Sequence, residues 1–413
     1  MSHRPDDRRG LVGTRAAFTP WVMLLALTSG FALSQAYRTV AAIMAPQLQA
    51  EFALDPQALG SFAATFHFSF GLLQLLTGIC IDLYGVRRTA LVAFPLAIVG
   101  SLLSAVTDRF ALLLAGQALI GIGCAPAFLV CTVFIAQRFP ASRYASVSGI
   151  VLGIGGLGML ATGTPLAWLI EAASWRAGFV ALAGVSALAW LAIAWVVRDP
   201  PARHDGGERE SIVEALRGFA SLFAIPHSWG ILALALVSYA SFVALRGLWL
   251  GPLLVERYGF SLVASGNVAV AVSIASMIGP PLFGRFDPGP ATRRRWLLAG
   301  TLASAVLFAL LVPGFGAAFD VTVSIVYSLL FGYGILQYAD VRDAYPAAMT
   351  GRALSLFTMA LFLGVALMQW LTGAAASAAV AAGVPPFAAA FALIASMLAA
   401  GALLFARLPQ PPR

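Results

Sequence analysis

Long apolar runs alternate with short polar loops along the whole of this chain. Runs of about 20 apolar residues recur from end to end, each long enough to cross a hydrocarbon core of roughly 30 Å. Twelve such stretches are predicted, at 20–46, 57–81, 89–107, 110–137, 145–170, 177–197, 227–253, 262–284, 296–314, 319–340, 352–376 and 385–407. The pattern predicts an all-α membrane protein, because a helix in lipid satisfies its own backbone hydrogen bonds.

Two residues break the pattern. Between Arg15 and Glu51 the single charged residue is Arg38, and between Arg217 and Glu256 it is Arg246. They lie 208 positions apart in a chain of 413 residues. A charge at the bilayer centre costs roughly 2.5–3.5 kcal/mol on insertion scales, so two at matching depths call for a purpose. Guanidinium is a planar fork suited to carboxylate, phosphate or nitrate. Gln35 and Tyr37 flank Arg38, and Tyr239 precedes Arg246. Gln337, Tyr338 and Gln369 are further polar residues inside apolar runs. Together these eight form the candidate substrate site. Two competing readings exist for the arginines. One is a buried ion pair, but no acidic residue sits mid-span. The other is snorkelling of the side chain to a membrane surface.

Composition agrees with the pattern. Hydrophobic residues are 60% of the chain and charged residues 10%, where a soluble domain has about 25% charged. Mean hydropathy is +0.89. The net charge of +8 could suggest a nucleic-acid partner, but its distribution excludes one. There is no lysine, and 20 of the 25 arginines fall in the termini and in every second loop. The opposite loops hold Arg109, Arg176 and Arg257. This asymmetry places both termini in the cytoplasm, and short loops with no lysine lead to the expectation of a bacterial inner membrane. Residues 1–19 are polar, without a signal-peptide apolar region, so the first span is expected to be retained. Cys80, Cys124 and Cys131 sit in or beside spans, which leaves no extracellular pair for a disulfide.

The chain reads as two copies of one plan. A polar segment at 198–226 separates residues 20–197 from 227–407, and residues 408–413 form a tail. Within that linker Ile212, Leu216, Phe219, Leu222 and Phe223 predict a short amphipathic helix along the cytoplasmic surface. At an offset near 206, Pro46 matches Pro252, Asp82 matches Asp287, and Arg87-Arg88 match Arg293-Arg294. Parallel repeats of this kind place a substrate site near the midplane, between the halves.

These residues carry a resemblance. Gly78-Ile-Cys-Ile-Asp82-Leu-Tyr-Gly85-Val-Arg87-Arg88 resembles the G-x-x-x-D-x-x-G-x-R-R signature of the major facilitator superfamily. Trp175-Arg176-Ala177-Gly178-Phe179 resembles its W-R-x-x-F signature. The resemblance implies two pseudo-symmetric six-helix bundles and transport by alternating access. It also implies that Gly78, Asp82, Gly85, Arg87 and Arg88 form a conformational latch. Gly78 is expected to let the second and eleventh helices approach closely, and Gly85 to permit a tight turn. Gly155-Gly156-Leu157-Gly158 lacks the Gly-Pro start of the family's drug-antiporter pattern, which does not support drug antiport.

Chemistry narrows the reading further. His67 is the one residue within a span that titrates near pH 7, which makes it a candidate for proton coupling; the alternative is a hydrogen-bonded packing residue. No phosphate-binding GxxxxGK[ST] loop, HExxH or CxxC spacing occurs, so neither an enzyme, a cofactor nor a metal centre is expected. The expectation is a monomeric secondary transporter for a small organic or inorganic anion, with a proton or counter-anion as a second partner. The alternatives are efflux of amphipathic drugs, carriage of copper through Cys124, Cys131 and Met159, and a transporter-like receptor that does not translocate.

Overall fold

The computed structural model describes residues 19–199 and 219–411, and the regular elements among them are all helical. The N-terminal set comprises α1 (Pro20–Tyr37), α2 (Val40–Phe52), α3 (Pro56–Leu72), α4 (Gln74–Val106), α5 (Phe110–Cys124), α6 (Ala127–Arg138), α7 (Tyr144–Ala161), α8 (Thr164–Ala172) and α9 (Trp175–Val196). The C-terminal set comprises α10 (Pro226–Ala244), α11 (Leu262–Arg285), α12 (Pro290–Leu311), α13 (Ala317–Leu330), α14 (Ile335–Ala344), α15 (Ala347–Ala381) and α16 (Pro386–Arg407). Two π turns, Leu245–Trp249 and Leu253–Arg257, extend α10. The polar residues 1–18, and Ile212 and Leu216 of the expected linker helix, lie outside the described residues. Leu222, at the end of that linker, is buried against Ile231, Val341 and Phe357.

Ten helices among the described residues are long and apolar enough to cross a membrane. The difference from twelve lies at the start of the chain. The apolar run at 20–46 is broken at Arg38-Thr39, with polar Ser34 and Gln35 diluting the end of α1. The run at 57–81 is cut by a turn at Leu73, which leaves α3 with 17 residues. α4 then continues for 33 residues through Gly85, whose φ of 84° and ψ of 170° are not helical.

The molecule is apolar outside and seamed with small polar groups inside. Val92, Leu188, Trp195 and Val306 are exposed, while Ser101, Ser104, Ser186, Thr301 and Ser304 are buried. Most of these hydroxyls bond to a carbonyl one turn back on their own helix, as Ser104 does to Gly100 and Thr301 to Leu297. Such residues let helices approach without leaving an unsatisfied group in the interior.

The two sets meet closely at one end. Gly60 of α3 faces the backbone of α15, where an added Cβ would lie 2.6 Å from the Gln369 carbonyl and 3.0 Å from the Gly373 Cα. Gln57 N–H donates to Ser377 Oγ at 2.8 Å. Gly163 faces the Gly266 carbonyl, and the neighbouring Thr164 Oγ1 donates to Asn267 Oδ1 at 2.6 Å. Contact loosens toward the other, arginine-rich end. Gly156 meets only the flexible Met277 side chain, and Gly149, Gly153, Gly284 and Gly351 have nothing within 4 Å of an added Cβ. Gly78 has only Leu129 of its own set near an added Cβ, at 4.0 Å; in this structure the second and eleventh helices approach closely at Gly60 and Gly71.

Candidate substrate site

Helix breaks cluster where the two sets meet. α1 ends at Tyr37 with a tight turn, in which Thr39 N–H donates to the Ala36 carbonyl at 3.0 Å. α7 ends at Thr162-Gly163, and the Thr39 and Thr162 hydroxyls bond each other at 2.6 Å. α10 slips into its first π turn at Leu245–Trp249, just before Pro252, which lacks the N–H that would continue the regular ladder. Broken helices free backbone groups in the interior, where side chains or a ligand can use them.

Arg38 sits in the first of these breaks and is 6% exposed. Its Nη1 donates to Gln35 Oε1 at 2.5 Å and to Tyr239 Oη at 3.4 Å, and its Nη2 to Ser34 Oγ at 3.3 Å. The guanidinium carbon lies 4.7 Å from the Phe70 ring centroid and 4.8 Å from that of Phe362. One ring comes from each set, and the two rings are themselves 4.3 Å apart. Nε is buried without a partner. Among the described residues Arg38 forms no ion pair. It is neither a structural ion pair nor a snorkelling side chain.

Arg246 behaves differently. It is 1% exposed, and its Nε donates to the Ala269 carbonyl at 3.1 Å and to Ser273 Oγ at 2.9 Å. Its Nη2 donates across the interface to the Met159 carbonyl at 2.9 Å, in the last turn of α7. Arg38 and Arg246 share no partner here: Arg246 bonds the Ala269 and Met159 carbonyls and Ser273, and so links the C-terminal set to the N-terminal one.

The other predicted residues divide in the same way. Gln35 and Tyr239 touch Arg38 directly. Gln369 is fully buried on α15, beside Gly247 and the Arg38 carbonyl. Gln337 accepts from Ser238 Oγ at 3.1 Å, on the residue next to Tyr239. Tyr338 is 41% exposed and stands edge-on to Phe357. Tyr37 is turned away, with its hydroxyl bonded to Ser186 Oγ at 3.1 Å inside the N-terminal set. Consecutive helical residues point about 100° apart, so Tyr37 and Arg38 cannot share a face. His67 is buried one turn before Phe70, with Nδ1 3.1 Å from the Ala63 carbonyl. Phe70 and Phe362 were not anticipated. For Phe70 the signal was available, since Phe66, His67 and Phe70 lie at helical spacing on α3.

The signature loop is held by a residue outside the motif. Gly85 needs its positive φ, and a Cβ there would lie 2.6 Å from Asp199 Oδ2. Arg87 N–H donates to Asp199 Oδ1 at 2.9 Å, and Arg87 Nη2 to the Ala194 carbonyl. Asp199 therefore accepts from the free N–H groups where the helix resumes after Gly85. Asp82 and Arg88 are exposed on either side of this turn. In the second copy Arg293 grips Asp287 with two bonds, at 3.0 and 2.7 Å, and Asp343 with a third at 2.7 Å. The Arg293 fork holds the Asp287 carboxyl below the usual carboxylate range. At the opposite end Arg176 pairs with Glu51 and Asp108, and Trp175 Nε1 donates to Glu51 Oε2.

Broken apolar helices around a buried cation define a polytopic membrane protein. The chain belongs to the Major Facilitator Superfamily, whose family model matches residues 26–368. It is 25% identical over 255 residues to a probable sulfoacetate transporter of Cupriavidus necator, covering 59% of each chain. It is 26% identical over 258 residues to a hexuronate transporter of Bacillus subtilis, covering 59% of this chain and 58% of that one. The chain thus spans about three-fifths of the length of these curated relatives. In fold it is similar to the crystal structure of a D-xylose–proton symporter, with a TM-score of 0.77 at 15% identity over 95% of this chain and 98% of that one.

Proposed function

We propose that this protein moves a small organic anion across a bacterial inner membrane, with Arg38 as the residue that holds the anionic group. The observation that carries the reading is the state of Arg38. It is a buried cation at the interface of the two sets, cradled by neutral groups and two aromatic rings, with Nε unmet and no carboxylate near it. A buried charge without a counter-charge is costly, and a bound anion removes that cost. The named activities of two relatives, on sulfoacetate and on hexuronate, support an anionic substrate. Gln35, Tyr239, Gln337, Tyr338 and Gln369 are the polar groups within or near reach for the rest of the molecule.

In this reading twelve crossings form two six-helix halves with both termini in the cytoplasm. The close end at Gly60 and Gly163 faces the periplasm, and the parted, arginine-rich end faces the cytoplasm. Arg246 on the Met159 carbonyl fastens the periplasmic side shut and must release when the halves rock. Asp82, Gly85, Arg87 and Arg88 fasten the other state, so Asp82→Asn is expected to slow transport several-fold at unchanged affinity.

The test is exchange of radiolabelled glucuronate and sulfoacetate in proteoliposomes, with xylose and a lipophilic cation as controls. Anion exchange that is lost in Arg38→Ala supports the reading. Transport of only the neutral or cationic probes, indifferent to Arg38→Ala, overturns it in favour of efflux of amphipathic compounds.

A further inference from the structure

His67, Gln369 and Arg38 present unmet polar atoms to one small region of the interface. His67 is 1% exposed. Its Nδ1 lies 3.1 Å from the Ala63 carbonyl, and a carbonyl oxygen only accepts. Nδ1 therefore carries the proton in the neutral ring, and Nε2 is a bare acceptor. That Nε2 is buried with no partner. The Gln369 amide faces His67, and neither of its buried polar atoms forms a hydrogen bond of good geometry. Arg38 Nε completes the group. Nearly all buried polar groups find a partner, so a bare acceptor this close to Arg38 calls for one. Here three side chains, from α3, α15 and the turn between α1 and α2, are left unsatisfied together, in a place where Gly60 and Gly247 let the backbones close in.

The charges around His67 give this vacancy a sign. The junction of α1 and α2 contributes Arg38, whose guanidinium stacks on Phe70, one turn from His67. α5 contributes Cys124, a thiol that is buried and uncharged. α15 contributes Gln369 and Phe362, neither of which titrates. The π turn after α10 carries Arg246, which is aimed away at Ser273 and the Met159 carbonyl. Residues 20–50, 56–72, 110–124, 226–255 and 353–381 contain no Asp or Glu. A proton on His67 thus adds a second positive charge beside Arg38 with nothing to balance it. An anion on Arg38 supplies the balance.

We propose that His67 is the proton site of this carrier and takes up a proton only together with the anion on Arg38, so that anion and proton cross in the same direction. The proposal rests on the anion reading of Arg38. Coupling is reciprocal: by whatever factor the anion favours the proton, the proton favours the anion. The protonated ring gains an Nε2–H that can donate to Gln369 Oε1 or to the anion itself. One proton enters from solvent with each anion and leaves with it on the other side. The direction follows from the charge: anion binding strengthens as pH falls. The segments packed around Arg38 and His67 carry no carboxylate that could load the proton instead, and the histidine fills that role.

The experiment measures affinity for glucuronate and sulfoacetate between pH 5 and 8 on purified protein. The expected result is a rise of up to about tenfold per unit fall in pH for one linked proton. His67→Gln keeps a hydrogen-bonding side chain that cannot titrate, and should flatten the profile. In case that variant does not fold, a second measurement uses the wild type alone. Heats of binding in buffers of different ionisation enthalpy should show about one proton taken up per anion. A flat wild-type profile with zero protons taken up, while Arg38→Ala still abolishes binding, overturns the proton site and leaves the anion reading intact. A wild-type slope retained in His67→Gln also overturns it. If Arg38→Ala binds as well as wild type, the anion reading falls and this proposal falls with it.

Discussion

Arg38 and Arg246 occupy nearly equivalent positions in the two copies of the repeat, yet they do opposite things. Arg38 lies in a tight turn, with Nε unpartnered and its guanidinium stacked on Phe70 and Phe362. Arg246 lies in a π turn and spends Nε and Nη2 on the Ala269, Ser273 and Met159 oxygens. Residue type and depth are the same; the local backbone differs. The turn at Tyr37–Thr39 points Arg38 at the seam between α3 and α15, whereas the π turn swings Arg246 toward α7 and α11. A duplicated charge is therefore no guarantee of a duplicated role. In the proposed reading one arginine serves as a ligand site and the other as a tie.

The largest effect is expected where this contrast is broken at the ligand site. Arg38→Ala should lose about 1.5–3 kcal/mol of anion binding, as for a charged hydrogen bond, or roughly 10- to 150-fold in affinity. Arg38→Lys keeps the charge without the fork and should recover part of it. Equilibrium binding of glucuronate to each variant checks this.

Arg246→Met sharpens the contrast from the other side. It keeps the bulk and removes the tie to Met159, so the equilibrium should move away from closure at that end by about 1–2 kcal/mol. Distances between spin labels at Gln57 and Ala378 should lengthen in a larger fraction of molecules. An unchanged distribution together with a large loss of affinity would make Arg246 a ligand residue after all.

The Arg87 and Arg293 pair asks whether the rule extends beyond the site. Both are bound within their own set, but by different means. Asp199→Ala removes the acceptor at the turn after Gly85 and should lower stability by about 0.5–2 kcal/mol, as for a lost helix cap. Thermal unfolding in detergent measures it.

The smallest effect concerns Asp287. Its folded pKa is depressed by Arg293. Its contribution is present above the unfolded carboxylate pKa near 4 and fades as pH falls below that. Asp287→Asn should therefore be less stable than wild type by up to about 1 kcal/mol at pH 7. The gap in melting temperature should close as pH approaches 3.

Much of this protein was legible in one dimension. Apolar periodicity and length announce helices that can cross a membrane, because lipid leaves the backbone no other partner than itself. The isolation of Arg38, the signature around Gly85 and the offset between repeats were equally visible, since each is a matter of residue type and spacing. Hydropathy does not see the turns within the first two runs: the breaks at Arg38-Thr39 and Leu73 lie inside apolar stretches. What only the tertiary structure decided is direction. It turned Tyr37 into its own set and Arg246 onto backbone carbonyls, and it brought Phe362 and Gln369 from far along the chain to Arg38. A single sequence reports which groups lie at a given depth. Which of them meet depends on rotations of about 100° per residue and on a one-residue slip of the ladder, and those are settled only when helices pack.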